Sequence, residues 1–141
     1  MTDRVCLITG VGPGTGTALV RRFCEDYNVA MIARNEDRLI GLESDLTGAK
    51  GYPCDVSDFE QLSITIDRIR DEIGAPSVVV HNAVGGAFGN FLEIDPAVLE
   101  RNFQVNAMAL LYIGRAVAPD MISKGEGSII ITGNTLSLIH I

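Results

Sequence analysis

The run Arg4-Val5-Cys6-Leu7-Ile8-Thr9-Gly10-Val11-Gly12-Pro13-Gly14-Thr15-Gly16 sets a short apolar segment against four glycines in seven residues, and a helical stripe opens behind it at Ala18, Leu19, Phe23 and Cys24. An apolar run without polar alternation suits a strand covered on both faces of a parallel sheet. Glycines let the backbone turn tightly and approach a pyrophosphate with no Cβ in the way, while the N–H groups of the helix start face its charge. A structural turn alone would account for two of the four glycines. Their placement between strand and helix favours a nucleotide site at Gly10, Gly12, Gly14, Thr15 and Gly16.

The same alternation continues outward from this turn. Further strand candidates are Asn28 to Ala33, Ala49 to Cys54, Ser77 to Asn82 and Gly127 to Gly133. Asn35 is placed to cap a helix over Leu39, Leu42 and Leu46, and Ser57 to cap one with the stripe Leu62, Ile66, Ile69 and Ile73. Gly74-Ala75-Pro76 breaks that helix. Asp95-Pro96 starts another with proline at its first position, and Phe103 to Met121 supplies a long apolar one. Strands alternating with helices specify an α/β fold, a doubly wound parallel sheet wrapped by helices. No repeat, low-complexity tract or linker divides the chain, so residues 1–141 read as a single dinucleotide-binding domain.

With 141 residues, 47% hydrophobic and 21% charged, the chain is expected to be globular and ordered. Its formal charge of −7 opposes the phosphate attraction behind most nucleic-acid binding. No stretch reaches the roughly 18 to 20 apolar residues of a membrane helix, and Met1 to Thr9 lacks signal-peptide character, so the expectation is a cytoplasmic protein without membrane or nucleic-acid partners. Cys6, Cys24 and Cys54 show neither zinc nor disulfide spacing and read as reduced thiols; no metal is expected. Eighteen residues beyond Gly16, Arg34 stands where an NAD-preferring site carries an acid for the ribose 2′-hydroxyl. A guanidinium suits a 2′-phosphate instead, which favours NADP(H) over NAD(H). Arg34 could equally be a solvated helix-flanking charge. Glu36, near the same distance, falls in the first helical turn, where an acid partners the helix dipole.

At this point the sequence resembles the short-chain dehydrogenase/reductase family, whose first turn reads Thr-Gly-x-x-x-Gly-x-Gly and is matched by Thr9, Gly10, Gly14 and Gly16. Asp55-Val56 resembles the family's adenine-contacting Asp-Val, and Asn82-Ala83-Val84-Gly85 its Asn-Ala-Gly turn with valine in place of that glycine. Asn106, within Val105-Asn106-Ala107, resembles the asparagine that ends a proton relay. Gly127-Ser128-Ile129-Ile130-Ile131 resembles the strand leading to a catalytic serine. Local readings stay open beside these matches: Asp55 could cap a helix, Asn82 could satisfy strand-end backbone groups, and Asn106 could be a tolerated polar residue.

The resemblance implies a Rossmann-like sheet in the order 3-2-1-4-5 with helices on both faces, and hydride transfer between a nicotinamide and a small carbonyl or alcohol substrate. It also implies a homo-oligomeric full-length form. The family's tyrosine, with a lysine four residues later, has no counterpart here, because Met31, Val56 and Ala116 follow Tyr27, Tyr52 and Tyr112 at that spacing. The expectation is therefore a C-terminally truncated portion, incomplete relative to the family and inactive alone. The family's serine falls at Asn134, and Ser137 could stand in for it. Leu138-Ile139-His140-Ile141 does not resemble the loop expected there. The alternatives are a non-catalytic NADP(H)-binding module and an S-adenosylmethionine-dependent methyltransferase, whose usual acid at the second strand's end is absent at Ala33-Arg34.

Overall fold

A strand buried on both faces needs apolar side chains pointing both ways, and all five residues of β1 (Val5–Thr9) are buried. The computed structural model describes residues 3–87 and 89–133. After β1 come α1 (Thr15–Phe23), β2 (Asn28–Ala33), α2 (Glu36–Asp45), β3 (Ala49–Pro53), α3 (Phe59–Glu72) and β4 (Pro76–His81). The chain continues through α4 (Pro96–Phe103), a π-helical turn (Gln104–Met108), α5 (Ala109–Lys124) and β5 (Ser128–Ile131). The strands are parallel throughout and lie in the order β3-β2-β1-β4-β5, as the resemblance implied.

Strand alternation divides the interior into two layers. Val5, Leu7, Ala30, Ile32 and Val79 face α3 and α5, meeting Leu62, Ile66, Ile69, Ile113 and Val117. Cys6, Ile8, Val29, Met31 and Val80 face the other way, toward Val20 of α1 and Leu39 and Leu42 of α2. Among the described residues, no helix is long and apolar enough to cross a membrane.

The strand ends differ from the sequence reading by one or two residues. Arg4, Cys54 and Asn82 fall outside the ladders, and β4 opens at Pro76, where a missing N–H is tolerated at a strand's first residue. Gly127 and Gly133 lie outside β5; at Gly127 a Cβ would come within 2.5 Å of Met121, so the chain there is still turning in from α5. Asn35 caps α2 as expected, its Oδ1 accepting the Arg38 N–H at 2.9 Å. Ser57 does not cap α3. Its hydroxyl and N–H both turn back to Asp55 Oδ1, at 2.7 and 3.0 Å, and Asp58 takes the cap by accepting the Gln61 N–H at 3.0 Å. An aspartate there adds charge to the hydrogen bond at the positive end of the helix. The separate helices expected at Pro96 and Phe103 are joined without a break, because no glycine or proline interrupts residues 97–118 except Gly114.

β5 pairs with β4 alone among the described residues, and all four of its residues are exposed. Ile129 approaches Gly114 of α5, so Ile130 points to the opposite face of the sheet, which no described helix covers at this edge. With no charge or proline in the strand, this edge can template another chain. At tens of micromolar the chain should elute from size exclusion as larger species, and Ile130→Lys should shift it toward monomer.

Candidate functional site

The strand order reverses between β1 and β4, so the loops that follow them part at the carboxyl edge of the sheet and open a cleft. Its volume is about 1260 Å³. The glycine turn forms one wall. Gly10 has φ +68°, and a Cβ there would collide with the Ala83 backbone. At Gly16 a Cβ would sit 2.5 Å from the Gly10 carbonyl. These two glycines are explained by the protein's own packing. Gly12 and Gly14 are not, since a Cβ on either would meet nothing within 4 Å. They present bare backbone to the cleft, beside the start of α1, which has no side-chain cap.

The far wall gathers charge. Arg34, Arg38 and Arg101 all line the cleft, as does Asp55. Arg101 Nη2 donates to Asp55 Oδ2 at 3.0 Å while Ser57 occupies Oδ1. Partial burial alone would raise the Asp55 carboxyl, but the Ser57 hydrogen bonds and the charges of Arg101 and Arg34 outweigh it and hold the group below its ordinary value. Val56 lines the cleft yet is 6% exposed, its side chain committed to the core against α3 and α5. Thr15 lies at the start of α1 on the glycine-loop side.

Asn82, Ala83 and Val84 form the floor. The Asn82 amide is spent within the protein, Nδ2 donating to the Gly10 carbonyl at 2.9 Å and Oδ1 accepting from the Thr132 hydroxyl at 3.0 Å. Val84, in place of the family's glycine, is 80% exposed. Asn106 stands beside the cleft in the π-helical turn and pairs twice with Gly85: Oδ1 accepts its N–H at 2.8 Å and Nδ2 donates to its carbonyl at 2.9 Å. Ser137, Asn134 and His140 lie outside the described residues. Among the described residues no group of three His, Cys, Asp or Glu side chains could hold a metal.

Among the lining residues that escaped the sequence reading are the polar ones Arg38, Arg101, Asn102 and Thr132; of these only Arg38, one helical turn past Arg34, carried a signal. His81, buried behind the cleft and not lining it, was also missed. Its ring is 2% exposed at the end of β4, and a buried imidazole must use both nitrogens. The Val105 carbonyl can only accept, so Nε2 carries the hydrogen and donates to it at 3.0 Å. Nδ1 is then a lone pair that accepts from the Thr9 hydroxyl at 2.9 Å. Thr9 Oγ1 in turn accepts the Asn82 and Ala83 N–H groups, both at 3.2 Å.

Comparison with known proteins agrees with this architecture. The family model described as short chain dehydrogenase matches residues 4–140. The chain belongs to that family. Epidermal retinol dehydrogenase 2 of Mus musculus is 28% identical over 147 residues, spanning 100% of this chain and 48% of the relative. A fatty acyl-CoA reductase of Mycobacterium tuberculosis is 30% identical over 138 residues, spanning 92% of this chain and 47% of the relative. Among solved structures, a short-chain dehydrogenase from Streptomyces avermitilis superposes with a TM-score of 0.87 at 26% identity, over 93% of this chain and 49% of that one. A metagenomic short-chain oxidoreductase in complex with NADP gives 0.85 at 29% identity, over 92% and 62%. The chain thus spans about half the length of the curated relatives it matches.

Burial pulls the His81 pKa below its ordinary value of 6.5 and outweighs the Val105 and Asn106 backbone carbonyls that favour the charged ring. The unfolded state therefore binds more protons as pH falls below about 6.5, so stability present above that pH is lost on acidification toward the folded pKa. Between pH 7.5 and 5.5 the unfolding free energy obtained from urea titration should fall, by at most about 1.4 kcal/mol per pH unit. In His81→Gln most of that slope should vanish.

Proposed function

We propose that this cleft binds NADP(H) and that the chain is the coenzyme-binding portion of an oxidoreductase acting on a small carbonyl or alcohol substrate. The observation that carries the reading is the bare backbone of Gly12 and Gly14 beside an uncapped helix start, because packing within the protein gives no reason for either glycine. A pyrophosphate fits there: it needs close backbone approach and N–H donors. Gly10 and Gly16 shape the loop, while Gly12, Gly14 and Thr15 face the phosphates.

Arg34 takes the 2′-phosphate, with Arg38 and Arg101 adding positive charge at the same end of a chain whose formal charge is −7. The bound NADP of the metagenomic relative supports this choice of cofactor. Asp55 and the rim of Val56 meet the adenine, and Asn82, Ala83 and Val84 line the ribose side. When bound, the nicotinamide supplies or accepts the hydride. The chain's own part is to orient the ring and exclude water from its floor. Asn106 anchors a water-borne proton path, and Ser137 is the candidate for the polar group facing the substrate oxygen.

A charge-assisted contact to the 2′-phosphate contributes about 1.5 to 3 kcal/mol, or roughly tenfold to a hundredfold in affinity. Titration should therefore show NADP(H) binding tighter than NAD(H) by that factor, with the difference collapsing in Arg34→Ala. Equal affinities in the parent chain would overturn the assignment. The sequence holds no Tyr-x-x-x-Lys, and positioned acid–base catalysis is typically worth about 10² to 10⁴ in rate. The chain alone should thus bind NADPH yet show no oxidation of it across a panel of carbonyl compounds; robust turnover would mean that the proton is handled by other residues.

A further inference from the structure

The helical segment behind α4 contains one turn of the wrong pitch. The Ala109 N–H reaches back five residues to the Gln104 carbonyl. In an α-helix that N–H would meet Val105, whose carbonyl here accepts His81 Nε2 instead. π-helical turns are rare, well under about 1% of residues, and one persists where a displaced backbone group finds another partner. His81 is such a partner, since its Nδ1 is held by Thr9 and leaves the ring little freedom to turn. If the turn tightened to an α-helix, residues on either side would rotate relative to each other by about 100°. Asn106 would then lose Gly85, which is itself wedged against α4: a Cβ on Gly85 would lie 2.5 Å from Asn102 Oδ1.

We propose that His81 is a positioning residue: its Nε2–H sets the register of the π-helical turn and thereby holds Asn106 against Gly85 at the cleft. The ring also joins this turn to the strand end that carries the glycine loop, so the glycine wall and the turn that holds Asn106 share one buried anchor. The importance of Asn106 rests on the function proposed above, whereas the register does not.

The two ring nitrogens can be tested apart. His81→Gln keeps a donor near the Nε2 position and loses the Nδ1 acceptor, and His81→Asn does the reverse. The readout is hydrogen exchange of the whole chain resolved to single amides, at low micromolar concentration and without nucleotide. In His81→Asn the Gly85 amide, which donates to Asn106, should exchange about tenfold faster while Ala30 in β2 is unchanged. In His81→Gln it should stay within about twofold of the parent. Equal effects of the two variants, silence in His81→Asn, or loosening that reaches β1 and β2 to the same extent would each overturn the proposal. Because no nucleotide is present, failure here is separate from failure of the cofactor reading, which is judged by titration of the parent chain.

Discussion

Gly10 lies so close to the Ala83 backbone that no side chain can stand between β1 and β4 at their carboxyl ends. The rest of the site follows from that approach. It brings the Thr9 hydroxyl within reach of two N–H groups and of the His81 ring, and it lets Asn82 close on the Gly10 carbonyl. A larger residue at position 10 would need both a positive φ and a displaced Asn82–Ala83 segment, so strain and collision would act together.

Magnitudes separate what holds the cleft from what decorates it. The Arg101–Asp55 pair has side chains 57% and 33% exposed, and such surface pairs contribute about 0 to 1 kcal/mol. The Thr9–His81–Val105 chain is buried, and leaving one of its groups unpaired would cost about 1 to 3 kcal/mol. Among the described residues every buried side-chain nitrogen and oxygen has a partner. The floor of the cleft is therefore held by buried hydrogen bonds. Its arginine wall is held loosely, as suits groups that exchange one another for a ligand's charge.

Much of the fold was legible because its causes are local. A short apolar run, a glycine cluster behind it, the Asn35 cap and the proline-led helix start at Asp95-Pro96 each act within a few residues, and the structure keeps them all. The Ser57 cap was misplaced by one residue, since Ser57 and Asp58 are both good caps and only the turn of Asp55 over Ser57 chooses between them. The π-helical turn was invisible, because one extra residue per turn leaves the apolar stripe of Val105, Ala109 and Ile113 readable as an ordinary helix.

The sequence by itself determined the α/β class, the glycine turn and the family, since short-range periodicity and motif spacing carry all three. Only the tertiary structure decided which glycines serve the protein and which face the cleft. That distinction depends on what stands opposite each Cβ, and for Gly10 the opposing atoms belong to residues more than seventy positions away. The role proposed for His81 depends on the same kind of contact. In the sequence it ends a run of valines, and its meaning comes from Thr9 on one side and Val105 on the other, brought together by strand order and helix packing.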